Sequence, residues 1–212
     1  MQLSIWLETG KELIKLPFKK INVESVLTKV VSEFAQVKAG DQVLDLYGGV
    51  GLFTSQFLEA VGEDGQIDLV EGSKSATADA IRNFAEMKNV KVHTGDVAKL
   101  LPRFTQSDVI VLDPPREGAG KEVVQAMAAL KPRAIVYVAC DPAALARDTT
   151  YLSEVGYEIT KIRAFDLFSM THHIESVALF GRVKVSWRQD NLVKDVYEQE
   201  FSRRQEEFKG CR

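Results

Sequence analysis

Cysteine is nearly absent from this sequence: of 212 residues, only Cys140 and Cys211 carry a thiol. Two thiols build neither a disulfide framework nor the four-thiolate set of a zinc or iron–sulfur centre, and such sparse use suits a reducing, cytoplasmic setting. Long hydrophobic runs are also lacking. No apolar stretch approaches the ~18 residues of a membrane span, and Glu8 stands where a secretion signal would continue its apolar segment. An excess of positive charge is missing as well. With 27 Lys and Arg against 30 Asp and Glu, the formal net charge is -3, so nucleic acid is not held by bulk charge and any such contact must come from a local patch. Internal repeats and low-complexity segments are absent.

What is present is a hydrophobic content of 45%, enough for the core of one ordinary domain. Apolar runs alternate with helical spacing and turn residues. After an opening that includes Leu3 to Leu7 and a break at Pro17, the spacing predicts a helix over 23–34, with Asn22 as its cap. Short buried strands are predicted at 42–46, 67–70, 90–93, 108–112 and 134–138. Helices are predicted to about 61, over 73–87, over 121–130 and to 155. Two further strands, 157–165 and 174–180, are joined by too short a loop for a helical crossover and so form an antiparallel pair. The fold class is therefore α/β, a doubly wound, mostly parallel seven-stranded sheet with ligands expected at the carboxyl ends of its strands. Residues 1–40 are expected to form a lead-in segment, 41–185 the main domain and 186–212 a charged, helical tail.

Those strand ends carry most of the chemistry. DLYGGVGL places Tyr47 and Gly49 in a glycine turn after the first of the five strands. The third glycine of the dinucleotide fingerprint is missing. Glu71 ends the second strand, where a carboxylate can accept from both ribose hydroxyls; an exposed acid leading into a helix reads equally well. Asp96 follows the third strand and can accept from an adenine amino group, cap a helix before Val97, or both. In DPPREG two prolines stiffen the loop that carries Asp113, either as a structural turn or to hold an acceptor toward a cofactor. Cys140 closes AIVYVA and opens a helix. Alone it reads as a small buried hydrophobe; beside Asp113 and the acidic THHIES segment it reads as a reactive group. Two adjacent histidines, His172 and His173, do not make a metal site, and no metal is expected.

Together DLYGGVGLF, DPPREG, VYVACDPAALARD and THHIESVALF resemble the RNA uracil-5-methyltransferases, in that family's order and from Asp45 to Phe180. The resemblance implies a Rossmann-like class I fold, S-adenosyl-L-methionine as cofactor, and ribosomal or transfer RNA as partner. It also implies Cys140 as nucleophile, Glu175 as general base, and cofactor contacts at Tyr47, Glu71, Asp96 and Asp113, with Gly49 in the glycine turn. A thiolate adds to carbon 6 of uracil and makes carbon 5 nucleophilic; a carboxylate then removes the carbon 5 proton. His173 is the alternative base. The N–H groups at the start of the helix after Cys140 are expected to stabilise the thiolate, while Arg147 reads better as a partner of Asp148. The chain departs from the family in three places. Asp141 replaces an asparagine beside the nucleophile and opposes thiolate formation unless turned away. Lys20, in Phe18-Lys19-Lys20-Ile21-Asn22, stands where the family has a cofactor-contacting glutamine, and Leu52 stands where some relatives have asparagine. The family's RNA-binding barrel is not visible, so a separate RNA-binding protein or domain is an expected partner. The competing reading is an inactive, cofactor-binding accessory module; a small-molecule methyltransferase is a third.

Overall fold

The computed structural model describes residues 3–6, 13–16, 23–165 and 175–183. The expected cap at Asn22, the Phe18 to Asn22 segment, His172, His173 and the tail helix lie outside them. In chain order the elements are β1 (Leu3–Trp6), β2 (Leu13–Leu16), α1 (Val23–Ala35), β3 (Gln42–Leu46), α2 (Leu52–Val61), β4 (Gln66–Glu71), α3 (Lys74–Asn83), β5 (Val90–Thr94) and α4 (Val97–Leu100). They continue with β6 (Val109–Leu112), α5 (Gly120–Ala129), β7 (Ala134–Ala139), α6 (Pro142–Glu154), β8 (Tyr157–Phe165) and β9 (Glu175–Arg182).

The strands form one sheet in the order β2-β1-β8-β9-β7-β6-β3-β4-β5. From β5 to β7 neighbours are parallel; β9 runs antiparallel to both β7 and β8. This is the expected doubly wound sheet with its antiparallel pair. A β1–β2 hairpin extends it past β8, joined through the single register pair Ile5 and Phe165.

Strand alternation explains why both faces are covered. On β6, Ile110 and Leu112 face one core cluster while Val109 and Val111 face the other. On β7, Ile135 and Tyr137 oppose Val136 and Val138 in the same way. Helices α5 and α6 close the first face through Val123, Val124, Met127, Leu145 and Leu152. Helices α1 and α2 close the second through Val31, Phe34, Phe53 and Phe57. The order of strands reverses between β3 and β6. Such a switch point opens a crevice at the carboxyl ends of the parallel strands.

Candidate active site

Five loops meet at that edge. The first leaves β3 through Tyr47, which takes a left-handed backbone conformation at φ 58°, uncommon for any residue but glycine and typical of constrained functional turns. The turn then runs against the sheet. A Cβ on Gly51, at φ 95°, would stand 2.1 Å from the Phe84 ring, and the Asn83 side chain donates to the Val50 carbonyl at 3.0 Å. Helix α3 therefore props the glycine turn from below.

Glu71 ties the second loop to the first. Its carboxylate accepts from the Gly49 N–H at 3.1 Å and the Ser73 N–H at 2.6 Å. Asp96 caps α4 by accepting from the Lys99 N–H at 3.1 Å, one of the roles expected for it. Burial, then the charges of Asp96 and Asp148, push the Tyr47 hydroxyl up to about 12. The Asp113 N–H donates to the Leu46 carbonyl at 3.3 Å, which joins the proline loop to the end of β3. Asp113 keeps solvent-exposed surface but has acidic neighbours. Desolvation first, then Glu175 and Asp45, push its carboxyl up to about 7.

Cys140 follows β7, and Glu175 begins β9. Their strands are antiparallel neighbours with Ala139 paired to Ser176, so Cys140 and Glu175 are the residues next beyond the last pair of the two strands. The thiol is half-buried. Desolvation and the Glu175 and Asp113 charges push it up, against the pull of Arg116. The expected stabilisation by the helix start is not found: Asp141 Oδ1 accepts from the Ala143 and Ala144 N–H groups at 2.8 and 2.9 Å. That cap also turns the Asp141 carboxylate onto α6, so the departure from the family at this position has a structural use. Arg147 pairs with Asp148 at 3.2 Å and donates to the Glu117 carbonyl, as a holding contact.

Three contributors escape a reading of the sequence. Asp45, buried in β3, accepts at Oδ2 from the Thr54 N–H and hydroxyl at 3.0 and 2.7 Å, while its Oδ1 has no partner. The only sign of it is an acid inside an apolar strand. Asp148 and Tyr137 bind one another at 2.7 Å inside the core, below the proline loop. Asp148 stands out only as Arg147's neighbour. Among the described residues no group of three or more His, Cys, Asp or Glu side chains is arranged to hold a metal ion, and no helix is long and apolar enough to cross a membrane.

The sheet order, the glycine turn after β3 and the acids closing β4 and β6 define the Rossmann-like methyltransferase fold. Comparison with known proteins narrows this. The family model of tRNA (uracil-5-)-methyltransferases matches residues 80–183. An uncharacterized RNA methyltransferase of Streptomyces avermitilis is 48% identical over 155 residues, 72% of this chain and 36% of that protein. The 23S rRNA (uracil(1939)-C(5))-methyltransferase of Acinetobacter baylyi is 34% identical over 177 residues, 80% of this chain and 38% of its own. Among solved structures, the Pyrococcus abyssi tRNA (uracil-54, C5)-methyltransferase in complex with S-adenosyl-L-homocysteine superposes with a TM-score of 0.61 at 29% identity, covering 79% of this chain and 41% of that one. The chain belongs to the RNA uracil-5-methyltransferase family. It spans little more than a third of the length of the curated relatives named here.

Proposed function

We propose that this chain transfers a methyl group from S-adenosyl-L-methionine to carbon 5 of a uridine in RNA, with residues 41–185 as the catalytic unit. The observation that supports the reading is the β7–β9 pairing, which ends at Ala139 and Ser176, the neighbours in sequence of Cys140 and Glu175, at the sheet's ligand edge. The side chains around the edge fit the cofactor. Glu71 and Asp96 are acceptors suited to a ribose and an amino group, the turn at Gly49 leaves open space where a Cβ would stand, and the acids Asp113 and Glu175 at the edge favour a cation.

S-adenosyl-L-methionine supplies the electrophilic methyl group. The Cys140 thiol would lose its proton to water and add to carbon 6 of the uracil, and the ring electrons would collect at carbon 5, which takes the methyl group as the methyl–sulfonium bond breaks and S-adenosyl-L-homocysteine leaves. Glu175 takes the proton from carbon 5, the carbon 6–sulfur bond breaks, and the thiolate leaves as the ring double bond returns. Glu175 passes its proton to water. Burial and two carboxylates oppose the free thiolate, while Arg116 and the Cys140 N–H favour it; an extruded base meets the sulfur in the crevice.

RNA containing 5-fluorouridine tests the reading, because fluorine cannot leave as a proton and the adduct persists. A covalent RNA complex is expected with the unaltered chain and S-adenosyl-L-methionine, and its loss in Cys140→Ala. Binding of the cofactor by calorimetry without any adduct favours the accessory-module reading, and no binding at all sinks both.

A further inference from the structure

We propose that Asp148 is a positioning residue: from two turns into α6 it holds the loop between β6 and α5, and so keeps Asp113 and Arg116 in place around Cys140. The proposal deepens the reading of Cys140 as nucleophile and rests on it. Helix α5 begins at Gly120 with no side-chain cap of its own. Asp148 supplies one from a different helix, its Oδ2 accepting from the Ala119 and Gly120 N–H groups at 2.7 and 3.2 Å. The Tyr137 hydroxyl donates to the same oxygen at 2.7 Å and accepts from the Ala119 N–H at 3.1 Å. On the other side Arg147 pairs with Asp148 and donates to the Glu117 carbonyl. Backbone and carboxylate are pressed together there. At Gly118, φ 81°, a Cβ would lie 2.6 Å from both Asp148 Oδ2 and Arg147 Nη2.

A carboxylate with no exposed surface is costly unless its oxygens are satisfied, and an apolar residue would serve packing alone as well or better. What Asp148 adds is a fixed loop. Helix α6 presents the thiol at its start, and the held loop presents Asp113 and Arg116. The charges that act on the thiol are those of Glu175, Asp113 and Arg116, and of these only Arg116 favours the thiolate; Asp141, next in sequence, is turned onto the α6 cap. The loop carries both Arg116 and the more weakly acting Asp113, so as it drifts away the net support for the thiolate falls, and the network under the loop sets the reactivity of a sulfur it does not touch.

The test is the rate of Cys140 alkylation by iodoacetamide against pH, in the full chain carrying Cys211→Ser, with no cofactor or RNA. Sign separates positioning from a direct field. Removing a negative charge in Asp148→Asn would by itself make the thiol more acidic, whereas release of the loop makes it less so. Asp148→Asn is expected to move the midpoint up by about half a pH unit, slowing alkylation about threefold near pH 8. Tyr137→Phe, which changes no charge and keeps the core filled, moves it the same way if Asp148→Asn does not fold by circular dichroism. Arg116→Ala gives the full shift, and Lys121→Ala, which breaks the surface pair to Glu154 and the contact with the Tyr151 ring, gives none. Wild-type profiles in Tyr137→Phe and in folded Asp148→Asn overturn the proposal, as does a downward shift in Asp148→Asn or no shift in Arg116→Ala. Because the readout uses neither methyl donor nor RNA, it stands or falls separately from the reaction proposed above.

Discussion

Among single residues, the carboxylates under the ligand edge show how burial sets charge. Asp45 is enclosed in β3, and desolvation outweighs the two bonds from Thr54, pushing its carboxyl up to about 6. The fold thus favours the neutral acid over the anion. Stability from this group is fully present below the usual carboxylate range near pH 4 and is lost as pH rises through about 6. Asp113 acts in the same direction up to about pH 7, though its exposed surface lets solvent screen the effect. Asp45→Asn removes the buried charge and retains the shape. The variant is expected to gain about 1 kcal/mol relative to the unaltered chain between about pH 5 and pH 8, read by urea unfolding at both. An equal difference at the two pH values would show that Asp45 carries no such strain.

At the scale of elements, the glycine turn depends on helix α3 as much as on its own sequence. Gly51 must take φ 95° and leave room for Phe84, so Gly51→Ala meets both a backbone penalty and an aromatic ring. A loss of about 2 kcal/mol or more is expected. If the clash with Phe84 dominates, Phe84→Ala opens the space and the double variant is less destabilised than the sum of the two single ones; thermal unfolding of all four proteins decides it. Strict additivity would leave only the backbone penalty. This dependence also marks what a linear reading can reach. Strands β6 and β7 are plain as buried runs, and the groups just after strands, Tyr47, Glu71, Asp113 and Cys140, are brought to one edge because a parallel sheet gathers strand ends. The β1–β2 hairpin is not plain: its runs LSIW and LIKL are four residues each, and it joins the sheet at Phe165, far along the chain. Asp148 is hidden for a similar reason. Its partners are backbone N–H groups 29 and 28 residues earlier, which leave no mark in the pattern of side chains. Asp141 is ambiguous in sequence because one position serves both a helix cap and a neighbour of the thiol, and only geometry decides between them.

For the whole molecule, the distribution of charge limits how RNA can be held. The net charge is -3, and the ligand edge is floored by Asp45, Asp113 and Glu175. Several cations are already committed: Arg82 to Asp79, Lys121 to Glu154, Arg133 to Asp41, Arg147 to Asp148 and Arg163 to Glu33. Paired in this way, they release few counterions from a phosphate backbone. If the chain acts on RNA as proposed, contacts with an extruded base, neutral and flat, are expected to contribute more to binding than phosphate contacts do. Relatives such as the Acinetobacter baylyi protein extend well beyond the matched region. For this chain alone, the logarithm of RNA affinity against the logarithm of salt concentration is expected to fall with a shallow slope of about -2, corresponding to about three phosphates on a single strand. Fluorescence anisotropy across a salt series measures it. A slope of about -5 or steeper would mean that the chain carries its own phosphate-binding surface, and that the acidic edge is not the main determinant of how RNA approaches.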